Sequence, residues 1–350
     1  MNIYINGRFL TQEITGVQRY ALEVTKAIDI LISPNDVVVI LTPKSQTIEL
    51  NLKRISIKQV GFLTGHLWEQ IELPLYCRNG LLFNPCATGP LFKTNQVSTF
   101  HDVNFINFPE GFTWQFRLWY KIIFFICGKL SKSIIAISNY TKNEIIEKFG
   151  IQPSKITVIY EGYQHFDEIE ENKEILNKID NSKPFILGVS SLNKNKNFDI
   201  ILSCLKHINN VHFVIVGKPN PKIFGNAVSF KNKNVTFLGR VSDSELKSLY
   251  KNAFCFIYPS FFEGFGLPPL EAMSCGCACI ISNTSCLPEI YQDSVLYCDP
   301  QSPESLSEQI LLLLNDPFTT LKLHSKSKHI LEKYSWIECS KKILHLLKNT

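Results

Sequence analysis

The sequence predicts an α/β protein made of two parallel-sheet domains, and three observations carry that prediction. At 350 residues the chain is longer than a single core of ordinary size serves, so two domains are expected. Short apolar runs alternate with stretches of helical periodicity, a pattern that implies parallel strands joined by helical crossovers. Composition then changes abruptly at 167–183, DEIEENKEILNKIDNSK, an acidic and polar stretch that reads as a linker with one short helix. The expected boundaries are a first domain at 1–166, the linker at 167–183, a second domain at 184–332 and a final helix at 333–350.

In order, NIYIN (2–6) reads as a strand and TGVQRYALEVTKAIDIL (15–31) as the helix after it, with Gly16 at the helix start. DVVVILTP, RISIKQV, LLFNP and QVSTFHDVNF are the next strands, the last ending at His101-Asp102. SIIAISNYTKNEIIEKFG is a strand, an N-cap at Ser138 or Asn139 and an amphipathic helix. KITVIYEGYQHF closes the first domain. PFILGVSSLNKNKNFDIILSCLKHI opens the second with strand, loop and helix; Ser190 and Ser191 line the loop and Lys196 stands just before the helix. NVHFVIVGKPN and NVTFLGRVSDSELKSLYKNA repeat the unit, the latter capped at Ser242 or Asp243.

Composition narrows the class. Apolar content of 45% with 19% charged residues describes a globular chain and excludes a disordered one. A net charge of +5 suits an anionic small ligand or an acidic membrane surface, and is too weak and dispersed for nucleic acid. The start, MNIYINGRF, has no signal-peptide pattern, so a reducing, cytoplasmic setting with free thiols is expected for the 11 cysteines. Cys275, Cys277 and Cys279 have a spacing that suggests metal. Small buried thiols where a helix meets a strand explain it better, and no metal site is expected. No apolar run is long enough to span a membrane.

The richest stretch is Tyr258–Cys279, YPSFFEGFGLPPLEAMSCGCAC, where seven residues separate Glu263 from Glu271. Gly264 and Gly266 permit a left-handed backbone. Pro268 and Pro269 suit a first helical turn, and Gly276 a helix stop. A glycine turn beside a helix N-terminus favours phosphate, and carboxylates there accept hydrogen bonds from sugar hydroxyls. That combination suggests a nucleotide-sugar. Equally, Glu263 reads as a solvated loop residue and Glu271 as a carboxylate favoured by the helix dipole. His101 at a parallel strand's carboxyl end lies where ligands bind such sheets, and a lone histidine there is also readily structural. The aromatic segment FINFPEGFTWQFRLWYKIIFFICGKLSKS, with Arg117, Lys121, Lys129 and Lys132, suits a membrane surface or a core helix pair with a basic rim.

EGFGLPPLE with the following AMSCGCACI resembles the E-x7-E signature of the retaining glycosyltransferases of family 4. The resemblance runs from Gly16 to the terminal helix, and the WEQ…LP helix is similar to a feature of that family's bacterial polysaccharide enzymes. It implies two Rossmann-like domains facing across a cleft (GT-B type), with the C-terminal helix crossing back to the first domain. By the same resemblance Glu263, His101 and Lys196 carry catalysis. Gly16, Ser190, Ser191, Lys196, Arg240, Val241, Glu263, Phe265, Gly266, Leu267 and Glu271 bind the donor, with Glu271 on the ribose. Thr15 stands where a first glycine is usual, and Asn195 where an arginine is usual. The implied activity moves a hexose (mannose, glucose or galactose) from a GDP- or UDP-sugar to a saccharide acceptor with retention. The implied acceptor is lipid-linked, in cell-surface polysaccharide (O-antigen or capsule) synthesis on the inner face of the cytoplasmic membrane. No cofactor is expected, since no D-x-D motif stands at a strand end. Alternatives are a transferase with a soluble acceptor and a non-catalytic nucleotide-sugar-binding subunit. Neither half has the G-x-G-x-x-G fingerprint of a dehydrogenase.

Overall fold

The computed structural model describes residues 2–45, 47–180, 182–189, 194–206, 208, 210–217 and 233–350. The chain divides into unit 1, Met1–Gly162 with Tyr334–Thr350, and unit 2, Tyr163–Lys333.

Unit 1 is built on β1 (Asn2–Asn6), β2 (Val37–Thr42), β3 (Ser56–Gln59), β4 (Leu81–Asn84), β5 (Gln96–Phe100), β6 (Ser133–Ala136) and β7 (Ile156–Val158). Among the described residues these strands form one sheet in the order β3-β2-β1-β4-β5-β6-β7, every pair parallel. The central strands are buried on both faces, which is why they read as continuous apolar runs. Helix α1 (Gly16–Leu31) starts from a capping box between Thr15 and Gln18. Helix α2 (Trp114–Leu130) buries only Ile123, Phe124, Cys127 and Gly128. Helix α3 (Asn139–Phe149) is capped by Ser138, whose side chain accepts from Thr141 N at 3.1 Å, and ends at left-handed Gly150. The WEQ…LP segment is a helical run from Gly65 to Tyr76 that widens into a π turn at Trp68–Glu72.

Unit 2 repeats the plan with β8 (Phe185–Val189), β9 (His212–Val216), β10 (Val235–Gly239), β11 (Cys255–Tyr258), β12 (Cys279–Ser282) and β13 (Leu296–Cys298). Among the described residues the order is β10-β9-β8-β11-β12-β13, again all parallel. Its helices include α4 (Phe198–Cys204), α5 (Asp243–Asn252), α6 (Leu267–Ser274), α7 (Pro303–Asn315) and α8 (Pro317–Lys333). Ser242 caps α5 in a capping box with Glu245. Both sheets reverse direction of growth next to their first strand, the arrangement that opens a crevice at the carboxyl ends. In unit 1 that switch lies between β1 and β4, and in unit 2 between β8 and β11.

The chain crosses to unit 2 between Gly162 and Tyr163, so the acidic stretch read as a linker lies within unit 2. It is held there by backbone and side chain: Asn172 N donates to Ser244 O at 3.1 Å, and the Glu171 carboxylate pairs with Lys251 Nζ at 2.5 Å. These long-range contacts tie the stretch to α5. Helix α9 (Trp336–Asn349) returns to unit 1, where Ser340 Oγ donates to Val24 O at 3.3 Å and Tyr20 meets Trp336 edge-on. All 11 cysteines are unbonded to one another, with Cys277 and Cys279 buried and Cys275 half-buried.

Gly162 sits where the chain leaves unit 1, and a Cβ there would come within 2.1 Å of Trp336 N. A backbone atom cannot yield as a side chain can, so Gly162→Ala should cost about 2 kcal/mol or more. At Gly16 a Cβ meets nothing within 4 Å, and Gly16→Ala should leave stability nearly unchanged. Thermal melting of the two variants checks both.

Candidate functional site

In unit 2 the switch point brings together the loop after β8 and the loop after β11. Left-handed Asn197 (φ +55°) precedes α4, and its Nδ2 donates to Pro259 O at 3.1 Å and Pro300 O at 2.6 Å. This tie holds Lys196 against the end of β11. Its ammonium donates to Glu263 Oε1 at 2.6 Å and to Tyr258 OH at 3.2 Å. Both partners of the ion pair are largely buried, with side chains 16% and 10% exposed. Burial of one partner alone would leave an uncompensated charge, so each holds the other in place. Glu263 N donates to Ser285 Oγ at 3.1 Å, which fixes the turn from β12's loop. Burial and the neighbouring Glu263 carboxylate raise the Tyr258 phenol well above its ordinary pKa, so it stays protonated.

The turn then enters α6 through Gly266 at φ +85°, with Pro268 in the first turn. At that φ a side chain is strained, so the conformation favours glycine; a Cβ there would lie 2.6 Å from Leu287 Cδ2, the end of a side chain that can shift, and Tyr291 OH donates to Gly266 O. The helix stops as expected: Gly276 is left-handed, and Gly276 N and Cys277 N donate to Met273 O and Ala272 O, a Schellman motif. Phe265 and Leu267 are buried. Glu271, 9% exposed, accepts from His165 Nε2 at 3.0 Å on Oε1 and from Tyr250 OH at 3.4 Å on Oε2. Arg240 is exposed and Val241 half-buried just after left-handed Gly239 at the end of β10. Ser190 and Ser191 lie outside the described residues.

In unit 1 the switch point opens a cavity of 460 Å³ at the ends of β1, β4 and β5. Its polar lining comprises Arg8, Gln12, Thr15, Gln18, His101, Asp102 and Asn104, and its aromatic lining Phe105, Phe112, Phe116, Tyr120 and Phe124. Gly16 falls inside the Thr15–Gln18 stretch that borders it. His101 is a lining residue and a structural one at once: Nε2 bonds Pro85 O at 2.7 Å, and Nδ1 faces Glu161 Oε1 at 3.5 Å. Asp102 Oδ1 accepts from Asn104 N at 2.8 Å and so shapes the turn after β5.

Sequence reading missed the residues beneath this lining. The π turn inserts Glu69, 1% exposed, against the end of β1. Its Oε1 accepts from Asn6 Nδ2 at 2.8 Å, Arg8 Nε at 3.1 Å and Thr88 Oγ1 at 2.9 Å, while Oε2 faces His66 Nδ1 at 3.1 Å. Burial alone pushes this carboxyl up, but Arg8, His66 and Asn6 more than offset it, and its pKa lies below the ordinary value. Arg8 is thereby fixed, with a second bond from Nη2 to Thr88 Oγ1 at 2.9 Å. The available signal was a cation two residues beyond the carboxyl end of a strand. His165 and Tyr250, the partners of Glu271, carried no local signal.

Residues 168–349 match the profile of the family described as "Glycosyl transferases group 1", and residues 81–165 match "Glycosyltransferase Family 4". The chain is similar to the O-antigen chain mannosyltransferase RfbU of Salmonella typhimurium, at 28% identity over 232 residues, 64% of this chain and 62% of the relative. It is also similar to the O-antigen chain mannosyltransferase B of Escherichia coli, at 39% identity over 114 residues, 33% of this chain and 30% of the relative. The chain spans less than two thirds of the length of each of these curated relatives. Among solved structures, Anabaena HepE in complex with UDP-glucose superimposes with a TM-score of 0.75 at 14% identity, covering 100% of this chain and 99% of that one. Likeness at that identity concerns the fold, which is the two-domain α/β architecture of GT-B type.

Glu69 gives the site an acid limit. A carboxylate whose folded pKa is depressed stabilises fully above its unfolded value of about 4.3, and that stability is lost as pH falls through the folded value. Melting temperature should therefore fall steeply below about pH 4.3 in the wild type. Glu69→Gln should flatten that acid slope and lose about 3 kcal/mol at neutral pH by leaving Arg8 unpaired. Melting curves across pH for the two proteins check this.

Proposed function

Because the chain belongs to the group 1 glycosyl transferases, we propose that it moves a hexose from a GDP- or UDP-sugar to a saccharide acceptor, retaining anomeric configuration and needing no divalent metal. The observation that carries this reading is the Lys196–Glu263 pair at the switch point of unit 2, next to the glycine turn that leads into α6. An ammonium has three donors, and Glu263 and Tyr258 engage two. The diphosphate that leaves with the donor gathers negative charge, which Lys196 and the N-terminus of α6 stabilise where it develops. Glu263 then accepts from hydroxyls of the hexose, and Glu271 from those of the ribose. In this reading Arg240 and Val241 border the base. The matches to O-antigen mannosyltransferases support mannose among the hexoses and cell-surface polysaccharide as the product.

We place the acceptor on a lipid, with the protein peripheral at the cytoplasmic face of a membrane, on two features of unit 1. Trp114, Leu118, Ile122 and Phe125 form an exposed stripe along α2, with Trp114 67% exposed. A second stripe, Leu67, Ile71 and Leu75, follows the Gly65–Tyr76 run, and the two segments meet through the ring contact of His66 with Trp119. Residues 111–143 carry Arg117, Lys121, Lys129, Lys132 and Lys142 and no acid, and 73–101 carry Arg78 and Lys93 and no acid. Exposed apolar stripes beside the basic residues of α2 suit anionic lipid headgroups. Among the described residues, no helix is long and apolar enough to cross a membrane.

Two experiments test these readings. Lys196→Ala and Glu263→Ala should each lower hexose transfer by roughly 100-fold or more, measured by nucleoside diphosphate release from GDP- and UDP-sugars. A wild type that binds donor yet never turns it over would favour a non-catalytic binder instead. Separately, the protein should cosediment with phosphatidylglycerol vesicles and not with phosphatidylcholine ones. The Trp114→Ser/Leu118→Ser/Phe125→Ser variant should stay in the supernatant.

A further inference from the structure

The second carboxylate of the signature stretch is held by a residue from the far end of unit 2's sequence. Glu271 lies in the second turn of α6, and a glutamate there has three side-chain torsions to fix before it can meet a ligand in one geometry. Its carboxylate is 9% exposed at the residue level, so it needs partners for most of its acceptor sites. His165 supplies one: Nε2 lies 3.0 Å from Oε1, and the imidazole is itself buried, with its side chain 3% exposed. A carboxylate oxygen facing a ring nitrogen at that distance makes the nitrogen the donor. Tyr250 OH donates to Oε2 from the other side at 3.4 Å. Burial and the neighbouring Glu271 charge raise the Tyr250 phenol well above its ordinary pKa, so it remains a donor.

The imidazole is in turn anchored. Lys247 Nζ donates to Phe166 O at 2.9 Å and to Asp167 O at 2.8 Å, which ties the residues after His165 to α5. The Phe166 ring packs edge-on against both His165 and Tyr250. A carboxylate offers about four lone-pair sites, and two donors leave two for a ligand, one on each oxygen. That is the number a cis-diol requires.

We propose that His165 is a positioning residue: it orients the Glu271 carboxylate so that its remaining lone pairs grip the two ribose hydroxyls of the nucleotide. This rests on the reading of the chain as a nucleotide-sugar enzyme, and it adds a residue that neither the signature nor the group 1 resemblance singles out. Its consequence is selective. Losing the imidazole weakens ligands through their ribose and leaves the diphosphate contacts at Lys196 untouched.

The test uses the full-length protein and calorimetric binding of UDP and GDP, each compared with its 2′,3′-dideoxy counterpart. His165→Phe should weaken the bound ribonucleotide by ~10-fold, the loss of one charge-assisted hydrogen bond, and the dideoxy ligand by less than about 2-fold. His165→Gln, whose amide can donate to Oε1, should recover most of the affinity. Glu271→Gln added to His165→Phe should cost little further, since the two act as a unit. Equal loss for ribo- and dideoxy-ligands, or no loss for either, overturns the inference while leaving the proposed function standing. A wild type that binds neither nucleotide overturns that function, and this inference with it.

Discussion

Burying a carboxylate is unfavourable unless donors surround it, and this constraint organises both units at the ends of their strands. Glu69 rests on Arg8, Asn6 and Thr88, Glu263 on Lys196, Glu271 on His165 and Tyr250, and Glu161 faces His101. Each carboxylate comes from a different element than its partner, so satisfying it draws separate loops together. The cost of one unpaired buried charge is several kcal/mol, a large fraction of the stability of an ordinary domain. The pairs thereby give fixed positions to groups that would otherwise be mobile on loops.

The parallel sheets explain why those groups converge where they do. In each unit the strand order runs outward in both directions from the first strand, and neighbouring crossovers on either side of the switch leave on opposite faces. The gap between them is lined by residues just past the strand ends: Arg8 after β1 and Ala87 beyond β4 in unit 1, Lys196 beyond β8 and Glu263 beyond β11 in unit 2. The repeated topology supplies two such places in one chain. They are chemically distinct, since the first pairs a polar lining with five aromatic rings and the second an ion pair with a glycine-led helix start.

The π turn at Trp68–Glu72 shows how a local irregularity serves that arrangement. One extra residue in the turn alters which side chains face inward, and here both Trp68 and Glu69 are buried while Leu67 and Ile71 face out. Trp68 Nε1 donates to Val60 O at 2.9 Å, so the ring is anchored and Glu69 is carried to Arg8. The same segment thus contributes to the polar lining's support and to the exposed apolar stripe.

Much of this protein was legible in its residues taken in order. Short apolar runs located the strands, and Gly16, Ser138 or Asn139, and Ser242 or Asp243 marked helix starts. Gly266, Pro268 and Gly276 marked the turn, entry and stop of α6, because each acts on its own backbone. The resemblance of EGFGLPPLE to a known signature singled out Glu263 and Glu271. Tertiary structure alone decided the rest. It assigned the acidic stretch to unit 2 through bonds to α5, and it split the aromatic segment's Phe124 and Trp114 between core and surface. It also chose the partners of the buried acids, since Arg8 and Glu69 stand 61 residues apart and His165 and Glu271 106 apart. Local pattern carries information across a turn or two of chain. Which charge compensates a buried carboxylate depends on how the sheet brings distant loops together, and that is a property of the folded whole.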